Sequence, residues 1–192
     1  MQHWLATAVI GLQLCPFAKA VHVRGQIHYV VSRETDPDQL LLELERAMLE
    51  LVGMQAAVRD TTLLILPDAL VSFLDFNDFL DRADALLESL DLDGVLQIAS
   101  FHPQFQFAGT TVDDIGNATN RAPYPTLHLL RETSVEQAVA AFPQAEAIFE
   151  TNIATLHKLG QAGWDALGVR RSVAPPPDSP RPIGRRGGKI RR

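Results

Sequence analysis

The chain has a single cysteine in 192 residues. An internal disulfide is therefore excluded, and a lone thiol fits a reducing compartment. No apolar run reaches the roughly 20 residues that a membrane-spanning helix needs. The apolar start, WLATAVIGLQLC, has no Lys or Arg before it and no small-residue cleavage pattern, so it does not read as an export signal. A cytoplasmic location with no membrane partner is expected. Basic residues are scarce over most of the chain. From Arg170 to Arg192 there are eight Lys or Arg and one acid, Asp178, while the rest holds nine basic and 22 acidic residues. Binding a phosphate backbone wants a basic face, so specific nucleic-acid binding is not expected of an acidic body. The sequence has no internal repeat.

The composition is that of an ordinary soluble globule, 46% hydrophobic and 21% charged, and the length suits one domain with a full core. Residues 1–169 are read as a single α/β domain. Residues 170–192, rich in Pro, Gly and Arg with little to bury, are read as a disordered basic tail.

The periodicity predicts the elements in turn. Residues 2–12 carry Trp4, Leu5, Ala8, Val9 and Leu12 at helical spacing. Gln26–Ser32 alternates as a strand. Asp36-Pro37-Asp38-Gln39 has the form of a capping box and opens a helix that runs to about Val52. Thr61–Leu66 is a strand apolar on both faces. A helix follows from Ser72 to Leu90, then a strand over Val95–Phe101 and another over Pro125–Leu130. A second capping box, Thr133 to Glu136, opens a short helix before Pro143. Ala145–Leu159 is a helix with Phe149, Asn152, Ile153 and Leu156 inward and Gly160 beyond its end. Three strands separated by two helices imply parallel pairing. The fourth strand follows a loop without a crossover helix, so it is expected antiparallel, at an edge or beside the third. The predicted architecture is an α/β layered sandwich with a mixed, mainly parallel sheet of about four strands.

Between the third and fourth strands lie the 23 residues His102–Tyr124, without helical or strand periodicity. A connection beyond about 12–15 residues is uncommon in a compact domain and is often functional. In open α/β sheets ligands bind beyond the carboxyl ends of the strands, here near Ser32, Pro67 and His102. The loop is also dense in groups that can do chemistry. His102 ends a strand, where it serves either as a general base or as a hydrogen-bond anchor for the loop. Asp113 and Asp114 are a base, a single metal ligand or a turn cap. Asn117, Thr119 and Asn120 offer neutral donors, and Arg121 a planar fork suited to carboxylate or phosphate, or to pairing with the two acids. Tyr124, between two prolines, holds the loop exit stiff beside the same ligand. Phe105 and Phe107 anchor the loop to the core.

Two candidates lie outside the loop. Cys15 would sit near the N-cap of a helix with Pro16 at N1, where the dipole lowers a thiol pKa. Ala18 stands where a dithiol motif has its second cysteine, so two-cysteine redox chemistry is excluded. The other reading of Cys15 is a small apolar residue packed beside Leu14 and Phe17. His128, in the fourth strand, would complete a two-histidine, one-carboxylate set for a divalent metal with His102 and Asp114, or be a satisfied core histidine.

The stretches LCPFAKAV, TTLLILP, HPQFQFAGT, NATNRAPYP and LHLLRE resemble a family of uncharacterised bacterial proteins, a domain of unknown function, over about residues 3–168. The sequence departs from the family pattern at Ala20, where a proline is usual, and at Ala122, where a serine is usual; the second removes a hydroxyl from the loop. The resemblance implies a shared fold and no reaction. The residues themselves lead to an enzyme that binds a small anionic metabolite. Arg121, Asn117, Thr119, Asn120 and Tyr124 hold it, His102 with Asp113 or Asp114 moves protons, and Cys15 is a reserve nucleophile. The alternatives are the metal-dependent enzyme and a non-catalytic partner-binding or assembly module. The oligomeric state is not legible.

Overall fold

A computed structural model of the chain describes residues 1–141 and 147–170. The four strands are β1 (Ile27–Val31), β2 (Thr61–Ile65), β3 (Leu96–Phe101) and β4 (Thr126–Arg131). They form one sheet in the order β1-β2-β4-β3. β1 and β2 are parallel, and β4 is antiparallel to both β2 and β3.

The expected α/β fold with a mixed sheet of four strands and an antiparallel β4 is borne out. β1, β2 and β3 do run in one direction, as two helical crossovers require, but only one adjacent pair is parallel. The reason is where β4 inserts. It lies beside β3, as one of the two expected placements had it, yet in the interior of the sheet. Leu127 and Leu129 point to one face, and Thr126 is fully buried, so the strand is covered on both sides. A strand of this composition gains more inside the sheet than at an edge.

Two helices cover one face. Helix α3 (Pro37–Gly53) is capped by Asp36, whose carboxylate accepts from the Asp38 amide at 2.9 Å, with Pro37 at N1. Helix α4 (Phe73–Ser89) is capped by Ser72. Leu40, Leu44, Met48, Leu51, Phe76 and Phe79 meet Leu64, Leu96, Leu127 and Leu129 in the larger core. The other face is covered by the N-terminal segment, a 3-10 helix (Ile115–Asn120) and the last helix. The N-terminal segment starts as α1 (Gln2–Trp4) and continues in π-helical turns over Leu5–Ile10, so most of the expected single helix is wound more loosely than an α-helix. Among the described residues no helix is long and apolar enough to cross a membrane.

Other corrections are local. Helix α2 (Ala18–Val23) starts three residues after Cys15, with Phe17 at its N-cap position. Helix α5 (Glu132–Ala140) starts before the expected Thr133 cap, and the Ser134 hydroxyl donates to the Asp60 carboxylate at 2.6 Å. Helix α6 (Ile148–Ala166) breaks at Gly160, where φ is 68 and ψ is 173. The expected end at Gly160 matches that break. Phe149, expected inward, is 51% exposed and rests edge-on against Phe107. The expected helix start at Ala145, the helix limit at Pro143 and the basic tail from Arg171 lie outside the described residues.

β4 ends in Arg131, which locks the α3–β2 connection. One guanidinium nitrogen faces the carbonyls of Leu51, Met54 and Arg59, at the last turn of α3 and beyond it. A cation there satisfies carbonyls that the helix leaves unpaired. Arg131→Leu should lower unfolding stability by about 1.5–3 kcal/mol in urea denaturation, the cost of stranding those carbonyls beside the core.

Candidate functional site

β3 and β4 are neighbours in antiparallel register, Phe101 opposite Thr126. The site loop is therefore a hairpin connection, residues 102–125, where about two to five residues would close the turn. Such a loop has to satisfy its own backbone, and most of its polar side chains do that work.

His102 is completely buried. Its Nδ1 accepts from the Gln104 amide at 3.0 Å, which places the ring proton on Nε2, and Nε2 donates to the Leu70 carbonyl at 3.0 Å. The ring lies against Phe73 and Phe76 of α4. Burial pushes its pKa down, opposed by the backbone bonds at Leu70 and Val71. Leu70 has φ of 51, a conformation a leucine seldom adopts, and His102 pins it.

Asn117 is also completely buried. Its oxygen accepts from the Phe107 amide and the Thr110 hydroxyl, both at 2.9 Å, and its Nδ2 donates to the Thr111 carbonyl at 2.9 Å. Thr119 donates to the Gly116 carbonyl, and Asn120 donates to the Ser100 carbonyl. Asp114 accepts from the Gly116 amide at 2.8 Å as the cap of the 3-10 helix, and His157 of α6 lies 3.7 Å from it.

Arg121 differs from these. Nε donates to the Phe105 carbonyl at 3.1 Å and Nη2 to the Val112 carbonyl at 2.8 Å. Its own carbonyl accepts from Trp4 Nε1 at 2.9 Å, which ties the N-terminal segment to the loop. Among the described residues no carboxylate lies within 4.0 Å of its guanidinium. Burial, then the nearby charge of Arg170, pulls its pKa down, while Asp113 and Asp114 act in the opposite sense. An arginine remains charged at neutral pH despite such a shift.

Arg121 forms part of the wall of an open groove of about 1210 Å³. Asp113, Pro123 and Gln104 stand on the loop side, with Trp164, Asp165 and Arg170 across from them. Arg170 pairs with Asp165 at 3.0 Å. A smaller cleft of about 620 Å³ opens at the ends of β1 and β2, lined by Tyr29, Val31, Arg33, Asp68 and Tyr124. Both concavities lie at the carboxyl ends of the parallel strands, where the topology places ligands. The groove brings together Arg121 and Asp113 of the expected set, and Tyr124 faces the other cleft.

Cys15 and His128 lie elsewhere. Cys15 is half-buried, and burial raises its pKa, eased by the Phe17 and Ala18 amides. The expected activation at a helix N-cap fails because the helix starts too late. His128 projects to the sheet face opposite His102, beside Phe101. Its Nε2 lies 2.6 Å from the Thr61 hydroxyl, which itself donates to the Leu129 carbonyl at 2.6 Å. Among the described residues no three His, Cys, Asp or Glu side chains converge as a metal-ligand set. His102 and His128 lie on opposite faces of the sheet, so the expected set does not assemble.

Sequence reasoning missed the far wall. Arg170 falls in the stretch read as a basic tail, and Trp164 carries no sequence motif; it is buried, yet it also lines the groove. The usable signal was Gly160, which frees the chain to turn back across the loop.

Two outcomes follow. Asn117→Ala strands three part-buried loop groups and should cost about 1–3 kcal/mol, with new proteolytic cleavage between Gln104 and Asp113 in limited digestion. Burial pushes the His128 pKa down to about 4, against an unfolded value near 6.5. Between those values the unfolded chain binds more protons, so stability is full above about pH 6.5 and falls as the pH drops through 4. The loss by pH 4 is on the order of 3 kcal/mol, less so far as the exposed edge of the ring stays hydrated. His128→Gln should flatten that part of a stability–pH curve measured by urea denaturation.

No curated protein and no solved structure matches the chain. A family model does, over residues 1–166, and by that match the chain belongs to the family described as Protein of unknown function (DUF1415).

Proposed function

We propose that the chain binds a small metabolite carrying a carboxylate or phosphate in the groove between the 102–125 loop and the turn after Gly160. The observation that carries this reading is Arg121. It is a half-buried cation, aimed by two carbonyls, with no carboxylate in contact among the described residues. Partial burial strengthens its attraction for an anion, and a second cation, Arg170, stands near it. Trp164, Pro103 and Pro123 offer apolar surface for the body of the ligand.

The proton-transfer part of the expectation narrows. His102 has both nitrogens engaged and no exposed surface, so it supports the loop and carries no chemistry in this reading. Asp113 is exposed on the groove wall and is the acid that a bound ligand would meet. Asn117, Thr119 and Asn120 act by holding Arg121 in place.

A second reading is a partner-binding module. The groove volume supports it, since about 1210 Å³ exceeds the roughly 300–1,000 Å³ of most small-ligand pockets. An acidic peptide segment would use the same arginine.

Calorimetric melting of the chain with inorganic phosphate, short dicarboxylates and phosphorylated sugars separates the readings. A ligand at 100 times its dissociation constant should add about 2.7 kcal/mol of stability. Arg170→Gln, which leaves the loop bonds intact, should weaken that ligand by about three- to tenfold, and Arg121→Lys by more, because the planar fork is lost. Silence across the set with a cooperative melt would remove the metabolite reading.

A further inference from the structure

The sheet has two edges, β3 and β1. The chain caps the end of the first. The His102 amide donates to the Asn120 carbonyl at 3.1 Å, and Asn120 Nδ2 donates to the Ser100 carbonyl at 3.3 Å, so the loop covers the end of β3.

β1 has no such cover. The Ser32 amide donates to the Ile65 carbonyl, and the Gln26 carbonyl accepts from the Asp60 and Thr61 amides. Residues 26, 28, 30 and 32 therefore face β2. By strand alternation, Ile27, Tyr29 and Val31 turn their N–H and C=O groups away from the sheet. Among the described residues these groups have no hydrogen-bond partner. The devices that usually guard an edge are also missing. Ile27–Val31 reads IHYVV, with no lysine, proline or bulge, and Val31 is 52% exposed.

We propose that β1 pairs antiparallel with β1 of a second copy of this chain, about a two-fold axis at Tyr29. In that register Tyr29 faces Tyr29 of the other copy, and Ile27 faces its Val31 on either side. All three are hydrogen-bonded pairs, so every outward group of the strand is satisfied. The flanking charges obey the same symmetry. Arg24, in the turn that precedes β1, and Glu34, beyond its far end, flank the strand at opposite ends, both exposed. Neither makes an ion pair among the described residues. Antiparallel pairing brings the Arg24 end of each copy toward the Glu34 end of the other. A foreign strand would satisfy the same backbone, but only a second copy makes this charge arrangement complementary to itself.

Sedimentation velocity of the full chain tests this. At about 100 µM, suited to a short-strand interface of micromolar affinity, the species should have twice the 21.1 kDa chain mass. Arg24→Glu or Glu34→Arg alone should weaken association by about tenfold, since symmetry replaces two attractive pairs by two repulsive ones. The two changes together should restore it, which also shows that the variants fold. Val31→Pro, which removes an outward N–H and no bond to β2, should leave a monomer with unchanged circular dichroism. A monomer of the unaltered chain at this concentration overturns the proposal. So does a dimer that the two charge changes and Val31→Pro leave intact.

Discussion

The Asn117 side chain sits at the centre of a problem that the fold creates. Joining two adjacent antiparallel strands through residues 102–125 leaves many amides and carbonyls outside any ladder. Each would cost about 1–3 kcal/mol if buried without a partner. Asn117 satisfies two of them, the Phe107 amide and the Thr111 carbonyl, together with the Thr110 hydroxyl, from a fully buried position. Once the strand from Phe105 to Thr111 is tied to the 3-10 helix, the Phe105 and Val112 carbonyls stand where Arg121 can donate to both. The direction of the guanidinium is thus a product of loop closure. Trp4 then bonds the carbonyl of the same arginine, so the N-terminal segment packs only on a formed loop.

This dependence explains why the loop tolerates so much apolar anchoring. Phe73, Phe105, Phe107 and Phe149 contact one another in sequence, linking α4 to α6 through the loop. Aromatic contacts fix the loop from outside while Asn117 fixes it from within. His102 plays a similar part at the other end, holding Leu70 in a left-handed conformation at the entry to α4. That strain, of order 1–3 kcal/mol for such a residue, is offset by a buried hydrogen bond and two ring contacts.

Much of the fold was legible because its signals are local. The four strands fall within a residue of their expected limits, and Asp36-Pro37 and Ser72 mark helix starts by chemistry readable in a few residues. The position of β4 was not legible, because strand order follows from pairing between distant segments. In the candidate site the sequence announced an inventory of polar groups and hid their partners. His102 and Asn117 have the composition of a catalytic set, yet their partners are backbone groups, which every sequence supplies equally. Arg121 stood out correctly as a scarce cation, but its distance from Asp113 and Asp114 depends on loop geometry. Arg170 escaped because its neighbours in sequence belong to the basic end.

The break at Gly160 sets the dimensions of the groove. One wall is the stapled loop, while Trp164, Asp165 and Arg170 on the other follow a residue with φ of 68 and ψ of 173. That backbone region is essentially closed to side chains larger than hydrogen. The gap between the walls is therefore gauged by one pair of torsions, like the jaw of a caliper set by its pivot. Sequences that keep the loop but change this pivot would keep the same arginine and grip a ligand of a different width.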